Sequence, residues 1–424
     1  TRAKTRNSGS GNGTRWQRWQ KGGEYQPFFS STPYVIDWPK EDDGAVIRSF
    51  GISKVGTDAQ VAQSSRYWWQ SGLVGPAMNT TGAGFNIRIL PKNQIFSAKS
   101  TVIIPKSRKQ SLVLLCLLNS RTLRWFLYQQ GAALAGNTGK IKKLPVIWPT
   151  ECTEESLESL AQDATMLMAE LESFRETSPC FKDSTRPHSD LVARYRECVD
   201  RIDKTVSALY QQDVEDEAVR PTLDLAESAL VEATDGHILK PNGDLLLAYC
   251  LGIVFGRWDV RIASDPSLAP KLPDPFDPLP VCPPGMLQGP DGLPAKPEVV
   301  PPDYPIRIDS DGILVDDPEH PDDIVRRVRD VLEVIWQDCA EAVEKEACEI
   351  LGVREIRDYF RKPASGGFWI DHVRRYSKSR RKAPIYWYLR SAKGNYGLWL
   401  YYHRLDKDIL FKALLNYVEP KIRL

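Results

Sequence analysis

The feature that most constrains the fold is a proline-rich segment in the second half of the chain. Residues 265–305 contain 14 prolines in 41 positions. Proline has no backbone N–H group and a fixed φ, so neither a helix interior nor a central strand tolerates this density. The sequence therefore predicts an extended segment that lies on the surface and joins the middle of the 424-residue chain to its C-terminal part.

The charges are segregated along the chain although they nearly cancel. Residues 1–150 carry 21 Lys/Arg and 6 Asp/Glu, residues 151–350 carry 18 and 43, and residues 351–424 carry 17 and 6. The three net charges are +15, −25 and +11, and that of the whole chain is +1. Two basic ends favour a polyanion as partner, because phosphate neutralisation needs clustered Lys and Arg. The alternative is that the basic ends pair with the acidic middle inside the fold.

Hydrophobic periodicity predicts an α+β protein with several domains. In residues 1–150 we expect a strand at Tyr34–Trp38, broken strands over 85–105, a helix over Leu112–Gln130 and a strand-like segment over Lys140–Trp148. Thr153 is expected to cap the first of two long helices, which form an antiparallel hairpin of coiled-coil character. Later helices are predicted near Asp244–Gly256, over Asp322–Leu351 with Gly352 as the stop, and near Lys407–Tyr417.

The sequence lacks the common signals of catalysis, metal binding and membrane insertion. No G-x-x-x-x-G-K-[ST] loop is present, and Gly82–Gly84 is better explained as a turn than as a cofactor loop. The five histidines are isolated, and the eight cysteines are scattered without metal-ligand spacing, which favours reduced thiols in a cytoplasmic protein. The longest apolar run, Leu245–Phe255, is far shorter than the ~20 residues that span a bilayer.

Three local patterns indicate nucleic-acid binding. Arg, Asn and Gln make bidentate contacts to purine edges, and lysines contact phosphates. Such residues mix with aromatics in residues 66–88, lie beside a Gly/Ala loop at 140–143, and form a basic run at 374–382 that precedes aromatic strand residues. Core packing of the aromatics and a solvated basic face remain open as alternatives. The candidate DNA-binding residues are Arg66, Trp68, Asn79, Asn86, Arg88, Lys140, Lys142, Lys143, Arg374, Arg375, Lys378, Arg380, Arg381 and Lys382.

Eight segments follow one another along the chain in an order that is typical of a known family: Lys21–Tyr25, Tyr34–Trp38, Gly84–Pro91, Leu117–Ser120, Ile141–Val146, Asp244–Asp259, Tyr376–Tyr402 and Asn416–Lys421. In this order they resemble the BREX-type adenine-specific DNA methyltransferases (PglX-like), and a similar enzyme occurs in DISARM-type phage defence. The ending at Ile141–Val146, followed by a helical spacer, is also similar to type I specificity subunits and to fused restriction-modification methyltransferases. The glycine-rich S-adenosylmethionine loop and the [DNS]-P-P-[YF] motif of the family do not occur, so no catalytic or cofactor residue is carried over.

The resemblance implies a division of the chain into four parts. Residues 1–150 would be a small mixed-sheet target recognition domain, 151–264 a helical spacer, 265–305 the proline-rich linker and 306–424 a C-terminal α+β domain. The implied function is recognition of duplex DNA for an N6-adenine methyltransferase of an antiviral system. Because the sequence begins with Thr1, we expect it to be a piece of a longer protein. S-adenosylmethionine would bind the missing methyltransferase domain or subunit. That domain or subunit, and other defence proteins, would be partners of this chain.

Two other classes of function remain open at this stage. In a protein-interaction scaffold of a defence complex, the acidic middle would bind a basic partner and DNA contact would be incidental. A nuclease with an unrecognised site would show metal-dependent nicking. A steep salt dependence of DNA affinity separates the first alternative from DNA recognition.

Overall fold

The fold is described from a computed structural model. It covers residues 16–20, 25–29, 31–32, 34–37, 64–77, 85–130, 138–185, 189–212, 243–362, 366–378 and 381–423. The chain combines small three-stranded sheets with many helices, so the predicted α+β class is confirmed. The predicted domain boundaries stay predictions.

Two three-stranded sheets form the N-terminal part of the described chain. Their strands are β1 (Trp16–Gln20), β2 (Val35–Asp37), β3 (Gly72–Pro76), β4 (Arg88–Leu90), β5 (Ile95–Phe96) and β6 (Ser100–Ile103). In the first sheet, β1 pairs antiparallel with β2 and parallel with β5. In the second sheet, β3 lies between β4 and β6, and both pairings are antiparallel. The strand expected at Tyr34–Trp38 is therefore present as β2.

The helix expected over Leu112–Gln130 is two helices, α1 (Arg108–Asn119) and α2 (Arg121–Gln129). Ser120 separates them, with φ −65° and ψ 150°, which is an extended conformation. Its hydroxyl donates to the Leu117 carbonyl at 2.6 Å and accepts from the Leu123 N–H at 3.3 Å. One serine therefore closes the first helix and caps the second, as serine does at helix N-termini.

The predicted helical hairpin is confirmed. One helical turn, α3 (Thr138–Ile141), stands where a strand-like segment was expected, and α4 (Glu151–Glu172) and α5 (Ser189–Tyr210) follow. The Tyr210 hydroxyl at the end of α5 donates to the Pro145 carbonyl at 2.7 Å, just before α4 begins, so the two helices are antiparallel. The first helix starts after Thr150, three residues earlier than predicted.

The C-terminal part is built on a third antiparallel sheet. Its helices are α6 (Gly243–Val254), α7 (Val260–Ser264), α8 (Ile324–Trp336), α9 (Ala340–Leu351), α10 (Ile356–Arg361), α11 (Phe368–Arg375), α12 (Ile409–Ala413) and α13 (Glu419–Arg423). Its strands are β7 (Ile313–Val315), the hairpin β8 (Ser377–Lys378) and β9 (Arg381–Lys382), then β10 (Tyr386–Arg390) and β11 (Gly397–Tyr401). In the sheet, β11 lies between β10 and β7.

Two features of this part decide where its helices end. Gln337 adopts φ +49° and divides the helix expected over Asp322–Leu351 into α8 and α9. Gly352 has φ +62°, a left-handed conformation that glycine adopts at low cost, and ends α9 as predicted.

The proline-rich strap, residues 265–305, is anchored in two hydrophobic cores rather than lying only on the surface. Phe276 and Leu279 join the core that α1, α2, α4 and α5 share with the second sheet. Leu287 and Tyr304 join the core of the C-terminal part. The buried Arg18 of β1 donates to the Pro280 carbonyl at 2.7 Å, and burial lowers the pKa of this arginine to about 10. The strap thus connects two cores by buried contacts.

Candidate nucleic-acid interface

A short turn with unusual backbone angles presents polar side chains to solvent. Residues 65–67 form one 3₁₀ turn between Ser64 at φ +62° and Trp69 at φ +71°. Positive φ is unusual for a bulky residue such as tryptophan, and strained positions of this kind cluster at functional sites. We call residues 64–70 the strained turn.

The strained turn is fixed from below by a neighbouring loop. The Trp69 N–H donates to the Gln94 carbonyl at 3.1 Å, and the Asn93 N–H donates to the Trp69 carbonyl at 3.0 Å. Trp68 is half-buried and packs on a small cluster that contains Val74 and Leu90. These contacts hold the backbone of the turn in one conformation. The positions from which its exposed side chains project are therefore fixed.

The strained turn exposes Ser64, Ser65, Arg66, Tyr67 and Gln70, of which Arg66, Tyr67 and Gln70 carry the long side chains. The Arg66 guanidinium lies 4.7 Å from the centre of the Tyr67 ring, and the Gln70 amide donates to the Arg66 carbonyl at 2.9 Å. Among the described residues, no carboxylate forms an ion pair with Arg66. An exposed Arg and Gln on a rigid base can each make the paired hydrogen bonds that distinguish guanine and adenine edges. Of the predicted site residues, Arg66 is the one whose placement fits base recognition best.

Asn86 and Arg88 lie inside the protein, unlike the surface position expected for them. Asn86 is fully buried and accepts from the Gln26 N–H at 3.3 Å, while Arg88 is 2% exposed on β4. With its amide oriented by the hydrogen-bond network, Gln20 accepts from Nε and Nη2 of Arg88 at 2.7 and 2.9 Å. Both side chains are buried and are not available to an external ligand. Asn79 lies outside the described residues.

The lysines predicted to contact phosphate are at the surface. Lys142 and Lys143 are exposed directly after the single turn of α3, and Lys140 is half-buried within it. The segment continues to Trp148, whose side chain is 43% exposed. Flexible lysine side chains are suited to a nucleic-acid backbone, since they need no fixed geometry.

The basic run at 374–382 is divided between the surface and the interior. Arg374 is exposed and pairs with Asp371, and Lys382 is exposed on β9. The side chains of Lys378 and Arg381, on β8 and β9, and all of Arg380 lie outside what the structure describes. Trp387 on the following strand is 43% exposed, so it is available for stacking.

Arg375 departs from the surface position expected for it, because it belongs to a buried ion-pair network. It binds Glu176 at 3.2 Å and Asp244 at 2.7 Å. Glu176 also accepts from Arg257 at 2.9 Å and from the Tyr376 hydroxyl at 2.8 Å. Burial opposes the charge on Arg375, but Glu176 and Asp244 outweigh burial and raise its pKa. The sequence did not identify Glu176 as a functional or structural residue, because its neighbours in sequence resemble those of the solvated acids elsewhere in residues 151–350.

Two further classes of site are not found in the described part of the chain. No group of three or more His, Cys, Asp or Glu side chains there could hold a metal ion. No helix in the described ranges is long and apolar enough to cross a membrane.

Comparisons with known proteins include a distant structural likeness. The chain matches no protein-family model and no curated protein sequence. It is similar to the Type IIL restriction-modification enzyme MmeI, whose structure was determined in complex with DNA, with 15% identity and a TM-score of 0.32. The match covers 52% of this chain and 31% of that enzyme, so it spans less than a third of the enzyme's length. Because the likeness is so distant, the function proposed below rests on the residues of this chain.

Proposed function

We propose that this chain binds duplex DNA and reads its sequence with the strained turn. The observation that carries the proposal is that Arg66 and Gln70 are both exposed on a turn whose ends, Ser64 and Trp69, have positive φ. Lys142, Lys143 and the exposed part of the basic run would contact phosphates without regard to sequence. The +15 and +11 net charges of the two ends supply the long-range attraction that brings a polyanion to these surfaces.

We further propose that the recognised sequence is a target for N6-adenine methylation in a phage-defence system of the BREX or DISARM kind. The support is the order of the segments that resemble the PglX-like methyltransferases. In this proposal, a methyltransferase domain or subunit binds S-adenosylmethionine and extrudes the adenine, while this chain holds the duplex. Residues described here would position DNA and would perform no chemistry.

Selection from a random duplex library tests the role of the strained turn. The wild-type chain should enrich a defined sequence, and Arg66→Ala should relax the preference at one position, because a lost bidentate contact costs ~1–3 kcal/mol. Arg329→Ala is the matched control, since Arg329 is exposed and pairs with Glu344 in the acidic middle. If Arg66→Ala and the wild type enrich identical sequences, the base-reading role of Arg66 is wrong.

The salt dependence of affinity tests the phosphate contacts. If ~6 phosphates are neutralised, log K should fall with a slope of about −5 against log salt. Lys142→Ala combined with Lys143→Ala should weaken all sequences alike and make the slope shallower by about two units, one per lost contact. Fluorescence anisotropy at a series of salt concentrations measures both values. A wild-type slope near zero would mean that the basic ends are used inside the protein.

A further inference from the structure

The helical hairpin carries an open groove on its surface. The cleft between α4 and α5 has a volume of about 380 Å³. Its floor contains Leu167 and Cys198, which are 7% and 6% exposed, and Met166 stands at its edge with 57% of its side chain exposed. We call this cleft the hairpin groove. An exposed methionine beside an apolar floor is the kind of surface that another helix covers in helix bundles.

Charged side chains border the hairpin groove in a regular pattern. Asp163 and Glu170 lie on α4, and Arg194 and Arg201 lie on α5. Each pair is seven residues apart, which corresponds to two helical turns and about 10 Å along the helix axis. One side of the groove is therefore acidic and the other basic, with equal spacing.

All four of these charged side chains are exposed, and none has an ion-pair partner among the described residues of the chain. The acidic and basic sides do not close on each other across the cleft. The pattern therefore leaves two acids and two bases in register and available to an external surface. Glu197 adds a further acid within the groove.

We propose that the hairpin groove is the contact surface between two copies of this chain. A two-fold axis that runs along the hairpin, between the two facing grooves, lays α4 of one copy on α5 of the other, with those two helices antiparallel. Because the facing helices are antiparallel and both spacings are seven residues, this placement brings Asp163 opposite Arg201 and Glu170 opposite Arg194. The axis repeats both pairs, so the surface is self-complementary, as an isologous interface requires. The apolar floors of the two grooves, with Met166, are then covered.

Sedimentation velocity of the full 424-residue chain tests the proposal without DNA, so its outcome is independent of the proposed function. The wild type should form a dimer as the concentration is raised. Asp163→Lys with Glu170→Lys should weaken the dimer at least tenfold, since it places lysines opposite arginines. Arg194→Glu with Arg201→Glu should do the same with two acidic surfaces. Each variant is first compared with the wild type by circular dichroism to show that it folds. One folded variant is sufficient to test whether dimer affinity falls.

Mixing the two charge-reversed variants gives the decisive result. In a heterodimer the new lysines face the new glutamates, and the native acids face the native arginines, so dimerisation should return. When only one variant folds, combining all four substitutions in one chain gives the same test. Arg196→Glu is the matched control, since Arg196 is exposed on α5 outside the groove and should leave the dimer intact. A wild type that stays monomeric at every concentration, or a mixture that stays monomeric, overturns the proposal and indicates a different occupant.

Discussion

Glu176→Gln should reduce stability by removing a buried charge without changing side-chain volume. Glu176 is 6% exposed and receives three hydrogen bonds, from Arg257 at 2.9 Å, Arg375 at 3.2 Å and the Tyr376 hydroxyl at 2.8 Å. Breaking a buried ion pair costs ~3–5 kcal/mol, because the remaining charge stays buried without compensation. Glutamine keeps one acceptor and Arg375 keeps Asp244, so we expect a loss of about 3 kcal/mol, at the lower end of that range.

Urea unfolding followed by circular dichroism measures this loss. Glu349→Gln is the matched control, because Glu349 and its partner Lys345 lie 3.9 Å apart with side chains that are 69% and 80% exposed. Exposed pairs of this kind contribute little, so the control should lose less than about 0.5 kcal/mol. If Glu176→Gln unfolds within about 1 kcal/mol of the wild type, the network does not stabilise the fold as the buried geometry requires.

Two further predictions concern the C-terminal core and the strap. Burial lowers the pKa of His372 to about 2. Below pH 6.5 the unfolded state therefore binds a proton at this histidine, whereas the folded state does not. The free energy of unfolding should fall by up to about 1.4 kcal/mol per pH unit as the pH drops below 6.5. In urea titrations at pH 7, 6 and 5, His372→Gln should lack this part of the slope, and equal slopes would contradict the prediction. A Cβ on Gly285 would lie 1.9 Å from the Lys182 carbonyl, so Gly285→Ala should lower stability by roughly 1–3 kcal/mol. Gly289→Ala, where the nearest atom is the movable Asp291 carboxylate at 3.2 Å, is the control, and equal unfolding midpoints for the two variants would refute the close approach.

The sequence by itself determined the features that depend on local pattern. The heptad-like spacing in α4 and α5 predicted the hairpin, since apolar residues at that period must share one helix face. Gly352 predicted the end of α9, because glycine adopts a left-handed conformation at low cost. Ser120 also indicated a helix start, because serine is a preferred N-terminal cap. The apolar pattern continues on both sides of Ser120, so the sequence predicted one helix where the structure has two.

The tertiary structure alone decided which polar residues are buried. Arg66, Arg88 and Arg375 look alike in sequence, each close to aromatic residues in a basic block. Arg66 is exposed on the strained turn, Arg88 lies against Gln20, and Arg375 pairs with Glu176, which is 199 residues away. Burial depends on segments that are distant along the chain, and the free energy of a charged side chain depends on the partners that those segments bring. A local pattern contains neither, so the sequence predicted a basic surface and the fold determined which of its arginines face outward.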